Sequence, residues 1–380
     1  MKRITILVTH LLGSGHLSRA LTLAHAFREA GMQAQVISGG LPARHLESSG
    51  VDFVQLPPVR SDGTQFTRLL DERGAEASEE LLGRRSQVIA AKLRAFRPHC
   101  VITELFPFGR RVLHREFEAA LATAALLPGL LVFASVRDIL APPSSRKKME
   151  ATESMLRQHY DGVLVHSDPE VLPLQASWPI TPAIAGMLRY TGFIAAPGQP
   201  DSAGSDGYGE ILVTAGGGAV GRRLFETAIE AARLGGGRRW RLLVGGIDAA
   251  AVCARLNQAV RDAPVLAEPA RHDYRAMLKR CAAAVGQCGY NTAIDWLQAG
   301  VPGVFVPFAE AGEAEQTIRA DWLGARFGYG VIAEANLDPE TLSNAAEAAI
   351  LRGRPDLGRL KLDGALQTSR LIHALLEGRA

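Results

Sequence analysis

At 380 residues the chain exceeds what one hydrophobic core usually organises, so two domains are expected. Apolar residues make up 47% and charged residues 21%, which excludes a disordered or fibrous chain. The net charge of +3 does not imply nucleic acid as a partner. Residues 1–196 hold 22 basic and 18 acidic side chains against 20 and 21 in the remainder. That asymmetry leaves two readings open for the first domain: weak peripheral contact with anionic lipid, or a scatter of solvated charges. The four cysteines, Cys100, Cys253, Cys281 and Cys288, show no C-x-x-C spacing. Buried free thiols in a reducing compartment are therefore expected, with no disulfide framework or zinc site.

At the start, Lys2 and Arg3 precede the apolar run Ile4–Thr9. A signal peptide begins in a similar way, but this run breaks at His10, and a first β-strand fits it better. No stretch approaches the roughly 18 apolar residues of a membrane span. The expected location is cytoplasmic, at most peripheral at the inner face of the plasma membrane. After the strand come Gly13, Ser14, Gly15 and His16, then a helical pattern over Leu17–Ala30 closed by Gly31. Glycines let the backbone turn tightly beside a ligand, and the helix start presents N–H groups to an anion. Ser18 stands where the third glycine of a dinucleotide fingerprint belongs, so a nicotinamide or flavin enzyme is disfavoured. His16 reads either as a base at the mouth of the turn or as a packing histidine.

Further strands are expected at Ala34–Ser38, Phe53–Leu56, Cys100–Thr103, Leu130–Val136 and Gly162–His166. The polar segment Ser61–Arg85 reads as a long surface loop that enters a helix near Leu81 and is available to an acceptor. Glu104 follows one strand and Asp138 another, which makes both candidate bases beside His16. Arg110 and Arg137 read as partners of these carboxylates or of an anionic acceptor.

The Pro/Gly/Ser-rich stretch 197–209 reads as a linker between domains 1–196 and 210–380, with the last helix expected to pack back on the first domain. After it the pattern restarts, with strands at Ile211–Thr214, Trp240–Val244, Ala282–Val285 and Gly303–Val306. Strands alternating with helices predict an α/β fold of two Rossmann-like domains with parallel sheets facing across a cleft. Gly216, Gly217 and Gly218 follow the first of these strands and read either as a diphosphate cradle of N–H groups or as a merely tight turn. Near the third, Gly289 precedes a helix that Asn291 or Thr292 would cap, with Asp295 one turn inside. That carboxylate is placed either to accept ribose hydroxyls or simply to complement the helix dipole. Glu315 and Gln316 close an acidic loop after the fourth strand that reads either as a binder of sugar hydroxyls or as a solvated loop.

This ordered set resembles the GT-B glycosyltransferases, and in particular glycosyltransferase family 28. The residues that carry the resemblance are Gly13 to His16, Gly216 to Gly218, Gly289 to Asp295, Ala299-Gly300-Val301-Pro302, Pro307-Phe308 and Glu315-Gln316. Thr103 to Arg111 and Ser135 to Leu140 look like a bacterial branch of predicted glycosyltransferases. The resemblance implies that the second domain binds a nucleotide sugar, with uridine diphosphate as the expected carrier, and that the first binds the acceptor. Gly217 and Gly218 would face the diphosphate, Asp295 would replace the family's ribose-binding glutamate, and Glu315 and Gln316 would hold the donor sugar. His16 matches the family's glycine-loop histidine, and Gly13, Ser14 and Gly15 belong to the acceptor side. Family members invert the anomeric centre. The chain has no D-x-D element to hold a metal, so neither a metal nor a cofactor is expected. An epimerase or hydrolase of the same architecture is the alternative, and a non-catalytic nucleotide-sugar binder a third reading.

Overall fold

The computed structural model describes residues 1–11, 13–62, 65–198, 204–215, 221–246, 248–309, 314–358 and 360–378, with the backbone alone for 65–67. The chain divides into two compact units: Met1–Ile194 with Lys361–Ala380, and Ala195–Leu360. The expected linker, 197–209, falls within the second unit. At the two crossings the strands of chain touch, because the Phe193 N–H donates to the Lys361 carbonyl at 2.8 Å.

The first unit runs β1 (Arg3–Val8), α1 (Gly15–Glu29), β2 (Gln33–Ser38), β3 (Asp52–Gln55), β4 (Arg60–Asp62), β5 (Gln65–Leu70), α2 (Glu79–Phe96), β6 (Cys100–Glu104), α3 (His114–Ala125), β7 (Leu131–Arg137), α4 (Arg146–His159), β8 (Gly162–His166), α5 (Pro182–Ala185) and β9 (Leu188–Tyr190). Its main sheet has the order β3-β2-β1-β6-β7-β8-β9, and every pairing is parallel. Both faces are covered, which is why its central strands read as continuous Val/Ile/Leu runs. One face meets α1 through Ile4, Ile6, Val8, Cys100, Ile102, Leu131, Phe133 and Leu164.

The second unit runs β10 (Ile211–Thr214), α6 (Arg222–Leu234), β11 (Trp240–Val244), α7 (Ala249–Val260), β12 (Val265–Pro269), α8 (Tyr274–Leu278), β13 (Ala283–Gly286), α9 (Tyr290–Ala299), β14 (Gly303–Phe305), α10 (Glu315–Phe327), β15 (Gly330–Val331) and α11 (Pro339–Arg352). The sheet order is β12-β11-β10-β13-β14-β15, again all parallel. The final helix, α12 (Gly364–Glu377), belongs to the first unit, where Ser369 Oγ donates to the Ala26 carbonyl of α1.

The structure corrects the sequence reading in two places. Ser61–Arg85 is not a long loop: β4 and β5 form an antiparallel pair, and α2 starts at Glu79, its N-cap Ser78 accepting from the Leu81 N–H. A short hairpin carries no long alternation to read, and its charges, Arg68 and Asp62, face each other. Arg85 is fully buried, bonded to Glu116 and to the Gly39 and Pro57 carbonyls. Beyond the segments expected, β9 and β15 are edge strands too short to show a pattern, and the edge strand β12 is only half-apolar, ending in Glu268 and Pro269, which an edge tolerates. The four cysteines are free and buried. Among the described residues no helix is long and apolar enough to cross a membrane.

Candidate active site

In each unit the strand order reverses direction at one point, between β1 and β6 in the first sheet and between β10 and β13 in the second. Such a switch point leaves a crevice at the carboxyl ends of the strands, where open parallel sheets bind ligands. Of the residues singled out from the sequence, His16 and Glu104 meet at the first point, and Gly289 follows β13 at the second.

In the first unit, Gly13 turns the chain out of β1 with φ +64°, a conformation that side-chain-bearing residues rarely adopt. Helix α1 then starts with Ser14 as its N-cap, which makes no side-chain cap bond, and the Ser14 hydroxyl meets His45 Nε2 at 3.1 Å. His16 lies in the first turn of α1. Its Nδ1 is 2.9 Å from Oε1 of Glu104, the last residue of β6, and its side chain keeps 11% of its surface exposed against 2% for Glu104. Arg19, one turn further along α1, bonds the same Glu104 oxygen through Nη2. Spacing of three on a helix points both side chains at one carboxylate.

Burial pushes the Glu104 carboxyl upward, but the Arg19 guanidinium and the bonds from His16 and Ser135 outweigh it, so Glu104 is held well below the ordinary carboxylate range. An ionised carboxylate only accepts, and therefore His16 Nδ1 carries the proton. Arg19 Nη2, 3.2 Å from that nitrogen, can only donate and so makes contact with it without a hydrogen bond. Burial lowers the His16 pKa to about 3, against the raising effect of Glu104. The imidazole is thus neutral, with Nε2 left as a lone pair.

Arg110 and Arg137 add positive charge near this ring, and both depress its pKa. Both are half-buried, and Arg110 Nε donates to the Thr9 carbonyl at 2.8 Å. Burial, and then repulsion from Arg137, lower the Arg110 pKa to about 10. Asp138 is fully buried, its Oδ1 accepting from the Ile139 N–H, so it presents no surface to a substrate.

Three residues that belong with this cluster were not singled out from the sequence: Arg19, Ser135 and His166. A signal for two of them is present. The face packed on α1 reads Cys100-x-Ile102-x-Glu104, Leu131-x-Phe133-x-Ser135 and Gly162-x-Leu164-x-His166. On three neighbouring strands the buried face turns polar at its last position, where only a satisfied network is tolerated.

In the second unit, Gly216, Gly217 and Gly218 lie outside the described residues. Gly286 ends β13, and a Cβ there would come within 2.6 Å of the Thr214 carbonyl on β10. Gly289 differs: its φ is −64° and a Cβ would meet nothing within 4 Å, so the fold itself does not demand glycine there. It is the N-cap of α9, which has no side-chain cap and no acidic residue in its first turn. Asn291 and Thr292 are therefore first-turn residues and not caps, because the helix begins two or three residues earlier than expected. A helix start in this condition favours an anion.

Asp295 sits in the next turn of α9, where Arg275 Nε donates to its Oδ1 at 2.8 Å. Burial raises the Asp295 pKa against this partner. Glu315 opens α10 and binds Arg319, which also donates to the Cys288 carbonyl at 2.7 Å and so ties α10 to the turn before α9. Gln316 Oε1 accepts from the Phe308 N–H. Among the described residues no group of His, Cys, Asp and Glu is arranged to hold a metal ion.

No protein-family model matches the chain. Sequence relatives named UDP-N-acetylglucosamine–N-acetylmuramyl-(pentapeptide) pyrophosphoryl-undecaprenol N-acetylglucosamine transferase are similar over part of it. The one from Rhizobium johnstonii is 33% identical over 124 residues, 29% of this chain and 32% of the relative. The one from Brucella abortus is 29% identical over 211 residues, 50% of this chain and 55% of the relative. The matches thus span between about a third and just over half of those relatives. Solved structures align along nearly the whole chain. The MurG of Acinetobacter baumannii has a TM-score of 0.63 at 16% identity, covering 98% of this chain and 100% of that one. The calicheamicin glycosyltransferase CalG4 also scores 0.63, at 14% identity over 99% and 98%. Phytolacca americana UGT2, solved with UDP-2-fluoro-glucose and pterostilbene, scores 0.64 at 15% identity over 100% and 95%. The fold of this chain is the GT-B fold of these glycosyltransferases.

Proposed function

We propose that this protein is a glycosyltransferase that moves a sugar from a nucleoside-diphosphate sugar to an acceptor hydroxyl, with inversion at the anomeric carbon. The observation that carries the reading is the His16–Glu104 pair at the first switch point: a neutral imidazole whose Nδ1–H is committed to a carboxylate and whose Nε2 keeps its lone pair, the atom proposed as the base. In the reaction Nε2 takes the acceptor's hydroxyl proton as that oxygen bonds to the anomeric carbon and the bond to the diphosphate breaks. The proton moves as the C–O bond forms, when the acceptor oxygen has become acidic, and Glu104 stabilises the resulting imidazolium. A positioned base of this kind contributes ~10²–10⁴-fold.

The second unit would hold the leaving nucleoside diphosphate on main-chain N–H groups at Gly216, Gly217 and Gly218 and at the start of α9, donors that need no reorganisation as charge develops. The open space at Gly289 supports this share of the work. Arg275 occupies Oδ1 of Asp295 and leaves Oδ2 for a ribose hydroxyl. Glu315 and Gln316 would bind the donor sugar. Uridine diphosphate is the favoured carrier, in line with the relatives' names and the ligand of the plant structure. Near His16, Arg110 and Arg137 suit an acceptor that bears an anionic group, and a lipid-linked acceptor would bring the protein to a membrane surface from the cytoplasmic side.

The test is to supply labelled UDP-sugars to purified protein with and without an acceptor extract. Label appearing in an acceptor only when the extract is present is the expected result. Free sugar or an epimer formed without acceptor would overturn the transferase reading in favour of a hydrolase or epimerase.

A further inference from the structure

Glu104 spends only Oε1 on His16 and Arg19. Its Oε2 accepts from Ser135 Oγ at 2.7 Å, and Ser135 is fully buried on β7, directly opposite Glu104 in the sheet register. A serine hydroxyl has one hydrogen, and an ionised carboxylate takes it. The 3.0 Å contact between Ser135 Oγ and His166 Nε2 must then be donated by the histidine. His166 ends β8 and is fully buried, and that burial lowers its pKa to about 3 and keeps the ring neutral. With the proton on Nε2, its Nδ1 accepts from Thr191 Oγ1 at 2.8 Å. One assignment of protons therefore satisfies a chain from His16 through Glu104, Ser135 and His166 to Thr191, stepping across β6, β7, β8 and the residue after β9.

A fold does not require such a chain. Well-packed apolar residues of similar size are often as stable or more stable at buried polar positions. The members also sit on a face that is otherwise apolar and turns polar only at the edge where His16 stands. Resting on the reading of His16 as the base, we infer that Ser135 and His166 are positioning residues: they hold Glu104 in the orientation that keeps the proton on His16 Nδ1 and the lone pair on Nε2. Both are fully buried, so their part is played through Glu104. The hydrogen bond at one imidazole nitrogen decides which tautomer is present, so the far end of the chain sets the base.

The test combines kinetics with ¹⁵N NMR of histidine-labelled protein, in which His16→Ala identifies the His16 signals. In Ser135→Ala and His166→Leu, kcat for transfer is expected to fall about 10–100-fold with KM for the nucleotide sugar unchanged. The His16 nitrogen shifts should move from the pure Nδ1–H form toward a mixture of tautomers. Ser135→Thr, which keeps the hydroxyl, and His166→Gln, which keeps a donor toward Ser135, should restore both readings. Should Ser135→Ala fail to fold, Ser135→Cys, similar in size but a weaker donor, is read by the same two measures. Folded Ser135→Ala or Ser135→Cys with unchanged His16 shifts and unchanged kcat would overturn the inference. The base reading fails separately, through full activity in His16→Ala, because the NMR readout needs no turnover.

Discussion

The two switch points share a strand order and differ in what they present. At the first, between β1 and β6, side chains are presented: His16, Arg19 and Glu104 lie within hydrogen-bond reach of one another, backed by Ser135 and His166. At the second, between β10 and β13, Gly286 and the Gly289 start of α9 present backbone, and Asp295 in the next turn of α9 is already bonded to Arg275. Topology decides where a ligand meets each sheet; the residues there decide whether that place can move a proton or hold an anion. The proposed division of labour follows, with proton transfer in the first unit and nucleotide binding in the second.

The sharpest way to break this contrast is to remove the base. His16→Ala should lower the transfer rate by ~10²–10⁴-fold, while calorimetry records an unchanged affinity for a nucleoside diphosphate. A joint loss of rate and nucleotide affinity would dissolve the distinction between the two regions. Next in size is a buried arginine outside both switch points. Arg85→Met strands the buried Glu116 carboxylate and should cost about 3–5 kcal/mol in denaturant unfolding, with nucleotide affinity of the folded protein retained.

Acid should also single out the first unit. Unfolded histidine takes up a proton below about pH 6.5, whereas His16 and His166 in the folded protein do so only near 3. Stability is therefore greatest above pH 6.5 and falls as pH drops through the window from 6.5 toward 3, by about 1.4 kcal/mol per pH unit for each histidine. Glu104, depressed when folded, adds to the same slope below its ordinary carboxylate range. Thermal unfolding across this window checks the sign, and His166→Gln should flatten the curve. The smallest effect belongs to the second unit. Gly289→Ala meets no clash and should leave the melting temperature nearly unchanged, yet weaken nucleoside diphosphate binding roughly tenfold, about 1.4 kcal/mol. Unaltered binding would show that the α9 start does not approach the ligand.

Much of the architecture was legible in the chain itself, because a parallel sheet covered on both faces writes its strands as apolar runs and its turns as glycines. β1, β2, β6, β7 and β8 read in this way, as do the turns at Gly13 and Gly289. The strands β4, β9 and β15 did not, since two or three residues are too few to show a period, and β5 and β12 did not because polar, charged or proline residues interrupt their apolar runs. His16 and Glu104 were each visible as candidates, but their pairing was not. Eighty-eight positions separate them in sequence, and only the strand order that sets β6 beside β1 brings them into contact. Sequence alone determined the residue types and the secondary structure that carries them, because both depend on local pattern. Tertiary structure alone decided which carboxylate is spent on which partner, that Asp138 is sealed in the interior, and which nitrogen of His16 carries the proton. Those outcomes depend on burial and on hydrogen bonds between neighbouring strands, which no local pattern encodes.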